Sequence, residues 1–214
     1  MKKILLFCFL ASTITSCSFY KVASITSEKT KKSNNMLVFE NDTIRVSYNF
    51  WAKNGAMSFD LYNKLNIPLY FDWKKSAFIP NDKMMSYWQD ETNTTGSSSS
   101  SAYYLYGGVI GGSNRSKSKS IRQERIGVIP PHALISNNKY TLVLPKTDLL
   151  VQEYNLSNTP LRFRNYLAVS TSEQFDKDVF FIDNDFFVSN VKKIKKSKIK
   201  ASQISSAFYM GSQY

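Results

Sequence analysis

Residues 44–61 read IRVSYNFWAKNGAMSFDL. Ile44, Val46, Tyr48 and Phe50 alternate with Arg45, Ser47 and Asn49. Side chains of a strand point to opposite faces in turn, so this period of two predicts a strand with one apolar and one polar face. Met57, Phe59 and Leu61 repeat the pattern against Ser58, Asp60 and Tyr62. Between the two runs stands Asn54-Gly55, a pair that accepts the positive φ of a tight turn.

The pattern extends in both directions. Upstream, residues 36–40 form a strand-like piece, separated from the first run by Glu40-Asn41-Asp42, which reads as a turn. Downstream, Leu69, Phe71 and Trp73 alternate again. Residues 76–79 and 83–88 are predicted as the next two strands, joined by Pro80-Asn81-Asp82. Further strands are expected over 121–129, which ends at Pro130-Pro131, and over 139–144, 161–169 and 179–191. A short helix is expected near 170–178. Fifteen Phe and 13 Tyr enrich the chain in residues that favour strands. Strands recurring at this interval predict an all-β fold, a single immunoglobulin-like β-sandwich over residues 36–194.

Residues 92–119 break the rhythm. They hold five serines (Ser97 to Ser101), the aromatic group Tyr103, Tyr104 and Tyr106, and the sequence GGVIGG. Such a composition buries too little apolar surface to offset its ordering entropy, and a long flexible insertion loop is expected. Residues 195–214 are read as a basic, unstructured tail.

The beginning of the chain reads as an address. Lys2 and Lys3 precede an apolar run of eight residues, 4–11, far short of the roughly 20 that span a bilayer. Ile14-Thr15-Ser16-Cys17 follows, with the form of a bacterial lipobox: an aliphatic residue, two small residues, then the cysteine that is acylated. Residues 1–16 are therefore expected to be a signal peptide, Cys17 the lipid attachment site, and residues 17–35 a polar tether. Cleavage before Cys17 removes 16 residues and leaves 198. Cys8 departs with the signal, so the mature chain has no disulfide available. It must hold together through its core alone.

Formal charge is +12, or +10 without Lys2 and Lys3. Lys192, Lys193, Lys195 and Lys196 are the candidate contacts for an anionic envelope component, lipid or polymer. Export makes nucleic acid an unsuitable partner. His132 is the single histidine, and no Ser-His-Asp or Cys-His arrangement can be assembled from the motifs. Asp176, Asp178, Asp183 and Asp185 lack the glycine and terminal glutamate of a calcium loop. No enzyme activity, metal or cofactor is expected. A lipid-anchored hydrolase is the reading that would need converging carboxylates in a concave site.

Four stretches resemble an uncharacterised group of Bacteroidota lipoproteins: LVFENDTIRVSYNFWAKNGAMSFDLYNKLNIPLYFDWKKSAFI, VIPPHALI, PLRFRNYLAVSTSEQF and IDNDFFVSNVKKI. The resemblance spans most of residues 36–194. It implies a sandwich and structural roles for Asn63, Trp73, Ser76, Pro130, Pro131, Arg164 and Asn165, and it implies no activity. Surface-directed members of that phylum carry acidic residues just after the cysteine. SFYKVAS follows here, which implies the outer membrane, facing the periplasm.

Overall fold

The computed structural model describes residues 19–88, 93–105, 108–121, 124–142, 144 and 150–211, with 93–105 and 108–121 described by their backbone alone. Fifteen strands occur among the described residues. They begin with β1 (Phe19–Thr26), β2 (Lys31–Ser33), β3 (Met36–Glu40), β4 (Ile44–Asn49) and β5 (Met57–Asn63). β6 (Leu69–Asp72), β7 (Ala77–Pro80) and β8 (Met85–Ser86) follow. Then come β9 (Asn93–Leu105), β10 (Gly108–Ile121), β11 (Ile126–Ile129) and β12 (Leu134–Tyr140). β13 (Arg162–Ser170), β14 (Phe180–Lys195) and β15 (Ala207–Gly211) complete the series.

Two antiparallel sheets pack together as an all-β sandwich. The smaller has the order β12-β5-β4-β3-β2. The larger runs β11-β6-β13-β14-β1-β15, with β7 also paired to β13 and β8 paired to β7. The two runs that open the sequence analysis become β4 and β5, paired from Ile44↔Asn63 to Asn49↔Ser58. Their apolar faces are buried, as the alternation requires. The interior between the sheets is aromatic. Tyr48 meets Phe186 edge-on at 4.7 Å between centroids, and Phe50 meets Phe163 at 5.6 Å and Phe186 at 5.4 Å. Such pairs add about 0.5–1.5 kcal/mol each beyond the area they bury.

The immunoglobulin ordering deals strands between two sheets as ABED and CFG. That ordering is not seen: β2 to β5 succeed one another within one sheet.

The sandwich also begins and ends beyond residues 36–194. Residues 19–26, expected in the tether, form β1, an interior strand between β14 and β15. Residues 207–211, expected in the tail, form β15, with Phe208 fully buried. Two short 3₁₀ turns, Lys196–Lys198 and Lys200–Ser202, precede it. The expected insertion loop is an antiparallel hairpin of β9 and β10, a two-stranded sheet of its own.

Smaller differences are local. The expected helix near 170–178 is a series of turns in which Phe175 and Asp178 adopt positive φ. The 139–144 strand is instead β12, which lies earlier. Asn54 and Gly55 do adopt positive φ, but their loop is wider than a two-residue hairpin because residues 52–54 turn aside to bond β15. Tyr209 N–H donates to Ala52 O (3.2 Å) and Asn54 N–H to Tyr209 O (2.7 Å).

One junction is built from polar groups. β13 is flanked on one edge by both β6 and β7, with residues 73–76 between them. Buried Ser76 fills the gap: its Oγ donates to Asp72 O (2.7 Å) and accepts from Ala168 N–H (2.9 Å).

Candidate functional site

The basic residues singled out in the sequence lie where both ends of the described chain meet. β14 runs antiparallel to β1 in the register Phe19↔Lys195, Tyr20↔Ile194, Lys21↔Lys193 and Val22↔Lys192. β15 closes the other side of β1, with Gly211 opposite Tyr20 and Met210 opposite Lys21. Alternation sets the faces: Phe19, Lys21, Lys193 and Lys195 share one, and Tyr20, Val22, Lys192 and Ile194 the other. The ammonium of Lys193 lies over the Phe19 ring, 4.6 Å from its centroid, a cation–π contact. Lys196 opens the first 3₁₀ turn, which carries Lys198 as well. Lys192, Lys193, Lys195 and Lys196 are all exposed.

No carboxylate comes from β1, from β15 or from the part of β14 after Asp185, although Glu153 lies beside that part in an isolated bridge with Asn190. The sequence has no Asp or Glu before Glu28 and none after Asp185. The two described ends of the chain, which carry no Asp or Glu, are thus laid side by side. Phe19 and Lys21 join the lysines of β14 only through this long-range register, which no local pattern reveals. The distribution of acidic residues was the available signal.

Cys17 lies outside the described residues, separated from β1 by Ser18 alone. Tyr106 also lies outside them. Tyr103 and Tyr104 sit in β9, opposite Gly111 and Val109. Among the described residues no ladder joins that hairpin to the sheet that carries the lysines.

Groups that a hydrolase reading would enlist are engaged elsewhere. His132 adopts positive φ after Pro130-Pro131, and its Nε2 lies 2.8 Å from Asn66 Oδ1. Asp183 is held by Arg164 through two bonds, of 3.0 and 2.5 Å. Asp185 faces Lys29 at 3.5 Å. Asp176 accepts from Ser172 Oγ and Asp178 from Thr171 Oγ1. Buried Asp72 accepts the backbone N–H groups of Lys74 and Lys75 and is paired with Arg125 at 2.7 Å. Among the described residues, no three His, Cys, Asp or Glu side chains converge as a metal-binding group.

The buried polar cluster between the sheets is a scaffold. Asn165 Nδ2 (3.2 Å) and Asn184 Nδ2 (2.8 Å) donate to the Tyr48 hydroxyl, and Tyr87 donates to Asn165 Oδ1 (2.8 Å). Burial pushes the Tyr48 and Tyr87 phenols well above their ordinary range, so both keep their protons. Asn63, also buried, donates to Ile67 O, Ile129 O and Pro130 O, clamping the end of β5 to the Pro130-Pro131 step.

No protein family, curated protein or solved structure matches the chain. No helix among the described residues is long and apolar enough to cross a membrane.

Proposed function

We propose that the chain is a lipid-anchored, non-enzymatic protein of the bacterial cell envelope, with a structural or binding role. Its attachment point is Cys17, acylated after removal of residues 1–16, and its place is the outer membrane facing the periplasm. The observation that carries this reading is Ile14-Thr15-Ser16-Cys17, placed after a charged start and a short apolar run. A diacyl or triacyl cysteine holds a protein stably at a bilayer, where a single chain does so only marginally.

The start of β1 at Phe19 changes what such an anchor would do. Two residues of extended chain reach at most about 7 Å. The sandwich would therefore be held against the membrane surface and would not swing on a tether of nineteen residues.

Metabolic labelling with a palmitate analogue, followed by detergent phase partition, tests the anchor. The wild-type chain is expected to take up label and enter the detergent phase. Cys17→Ala is expected to remain unlabelled and aqueous. An unlabelled wild-type chain in the aqueous phase would overturn the proposal.

A further inference from the structure

We infer that the end of the larger sheet formed by Phe19, Lys21, Lys192, Lys193, Lys195 and Lys196 is a headgroup-binding face, which sets the sandwich end-on against an anionic bilayer. The inference rests on the anchored reading for its biological setting, and its geometry stands on the strand register. Lys21 lies opposite Lys193, and Phe19 opposite Lys195. These residues therefore occupy the end of β1 that points toward Cys17. Exposed Lys192, Lys193, Lys195 and Lys196 outnumber the carboxylate beside them, Glu153 in its bridge to Asn190, and together complement a surface of phosphate groups.

Distance decides whether the attraction matters. Screening reduces interactions beyond about 8 Å at physiological ionic strength. The reach from Cys17 to Phe19 is at most about 7 Å. An acylated Cys17 would thus keep the start of this face within a screening length of the headgroups, whereas a long tether would not. Each lysine near an anionic surface strengthens attachment about fivefold. Phe19 adds an aromatic ring, the kind of side chain that settles at a membrane–water interface.

A test with unlipidated protein separates this face from the anchor. The mature chain, residues 17–214 with Cys17→Ser, is mixed with vesicles of phosphatidylglycerol and phosphatidylethanolamine, or of phosphatidylcholine alone, and sedimented. Binding is expected on the anionic vesicles only and is expected to fall as salt rises. Replacing Lys192, Lys193, Lys195 and Lys196 with Gln is expected to weaken it more than about tenfold. Replacing Lys31, Lys32, Lys83 and Lys177, four exposed lysines elsewhere, removes the same charge and is expected to change it by less than about threefold. Thermal midpoints of both variants confirm that they are folded.

Equal losses from the two variants would show that net charge alone acts, and would overturn the inference. So would absence of binding, equal binding to phosphatidylcholine, or capture by a soluble polyanion without vesicle binding. None of these results depends on whether Cys17 is acylated, so failure of the anchor is read separately from failure of the face.

Discussion

Tyr48 serves two purposes at once, and its ring and its hydroxyl can be tested apart. The ring packs on Phe50, Phe59 and Phe186. The hydroxyl accepts from Asn165 and Asn184, which lie on the facing sheet. Tyr48→Phe keeps the ring and strips two buried amides of their acceptor. An unsatisfied buried donor costs about 1–3 kcal/mol, so urea unfolding should show a loss of about 2–3 kcal/mol. The raised phenol pKa values of Tyr48 and Tyr87 give a second expectation. In the unfolded chain both phenols ionise near pH 10, while in the folded protein both remain protonated. Above pH 10 the folded state binds more protons than the unfolded state, so stability falls as pH rises and is undiminished below that value. Phenolate absorbance during alkaline titration should show these two tyrosines silent until the protein unfolds. Gly55 has φ +75°, and a Cβ there would lie 2.8 Å from Leu142 Cβ and 3.1 Å from the Phe208 ring. Gly55→Ala should destabilise by about 1–3 kcal/mol, measured the same way.

At the scale of elements, legibility followed how many faces of a strand are buried. β4 and β5 have one face in the core and one toward solvent, so their apolar residues alternate and the sequence shows them. β1 does not. Val22 is buried on one face and Ala23 on the other, and β14 carries a bulge beside Ser24 and Ile25 that shifts the pairing. Its apolar residues Phe19, Tyr20, Val22, Ala23 and Ile25 do not alternate strictly, so the segment shows no one-faced pattern and reads as part of a linker. β15 was hidden for a related reason, because Ala207 and Phe208 are consecutive and both buried. β9 and β10 pair through their backbones, and a serine-rich strand offers no apolar contrast by which to recognise it. The candidate site was legible as a run of lysines. Its partners Phe19 and Lys21 were not, because the register that adds them joins opposite ends of the chain. Two variants separate the strand from a tether. Ala23→Pro removes a backbone donor and places a ring in an interior strand, where proline is essentially excluded. It should abolish folding or destabilise by more than about 3 kcal/mol, read from the circular dichroism melt. A true tether would leave the melt unchanged. Replacing residues 93–121 with a short Gly/Ser linker, by contrast, should change stability by less than about 1 kcal/mol, since no ladder among the described residues joins the hairpin to either sheet.

At the scale of the whole molecule, the interior must supply what crosslinks do in many exported domains. The only cysteines are Cys8 and Cys17, so a mature chain acylated at Cys17 should unfold at the same urea concentration with and without a reducing agent. One edge of the smaller sheet is also guarded. β2, the last strand of the smaller sheet, is Lys31-Lys32-Ser33 and lies fully exposed. Charged, short edge strands discourage pairing with other chains. The ends of the described chain converge in the larger sheet, so an anchor at Cys17 would fix the sandwich by the strand that lies between β14 and β15. That arrangement depends on one covalent event, and intact mass tests it most directly. The protein is expressed in a bacterium that processes lipoproteins, and the native chain is weighed beside Cys17→Ala. A native mass that begins at Cys17 and includes two or three acyl chains, with the variant lacking them and displaced from the membrane, is the predicted result. A native chain cut elsewhere and carrying no lipid would contradict it.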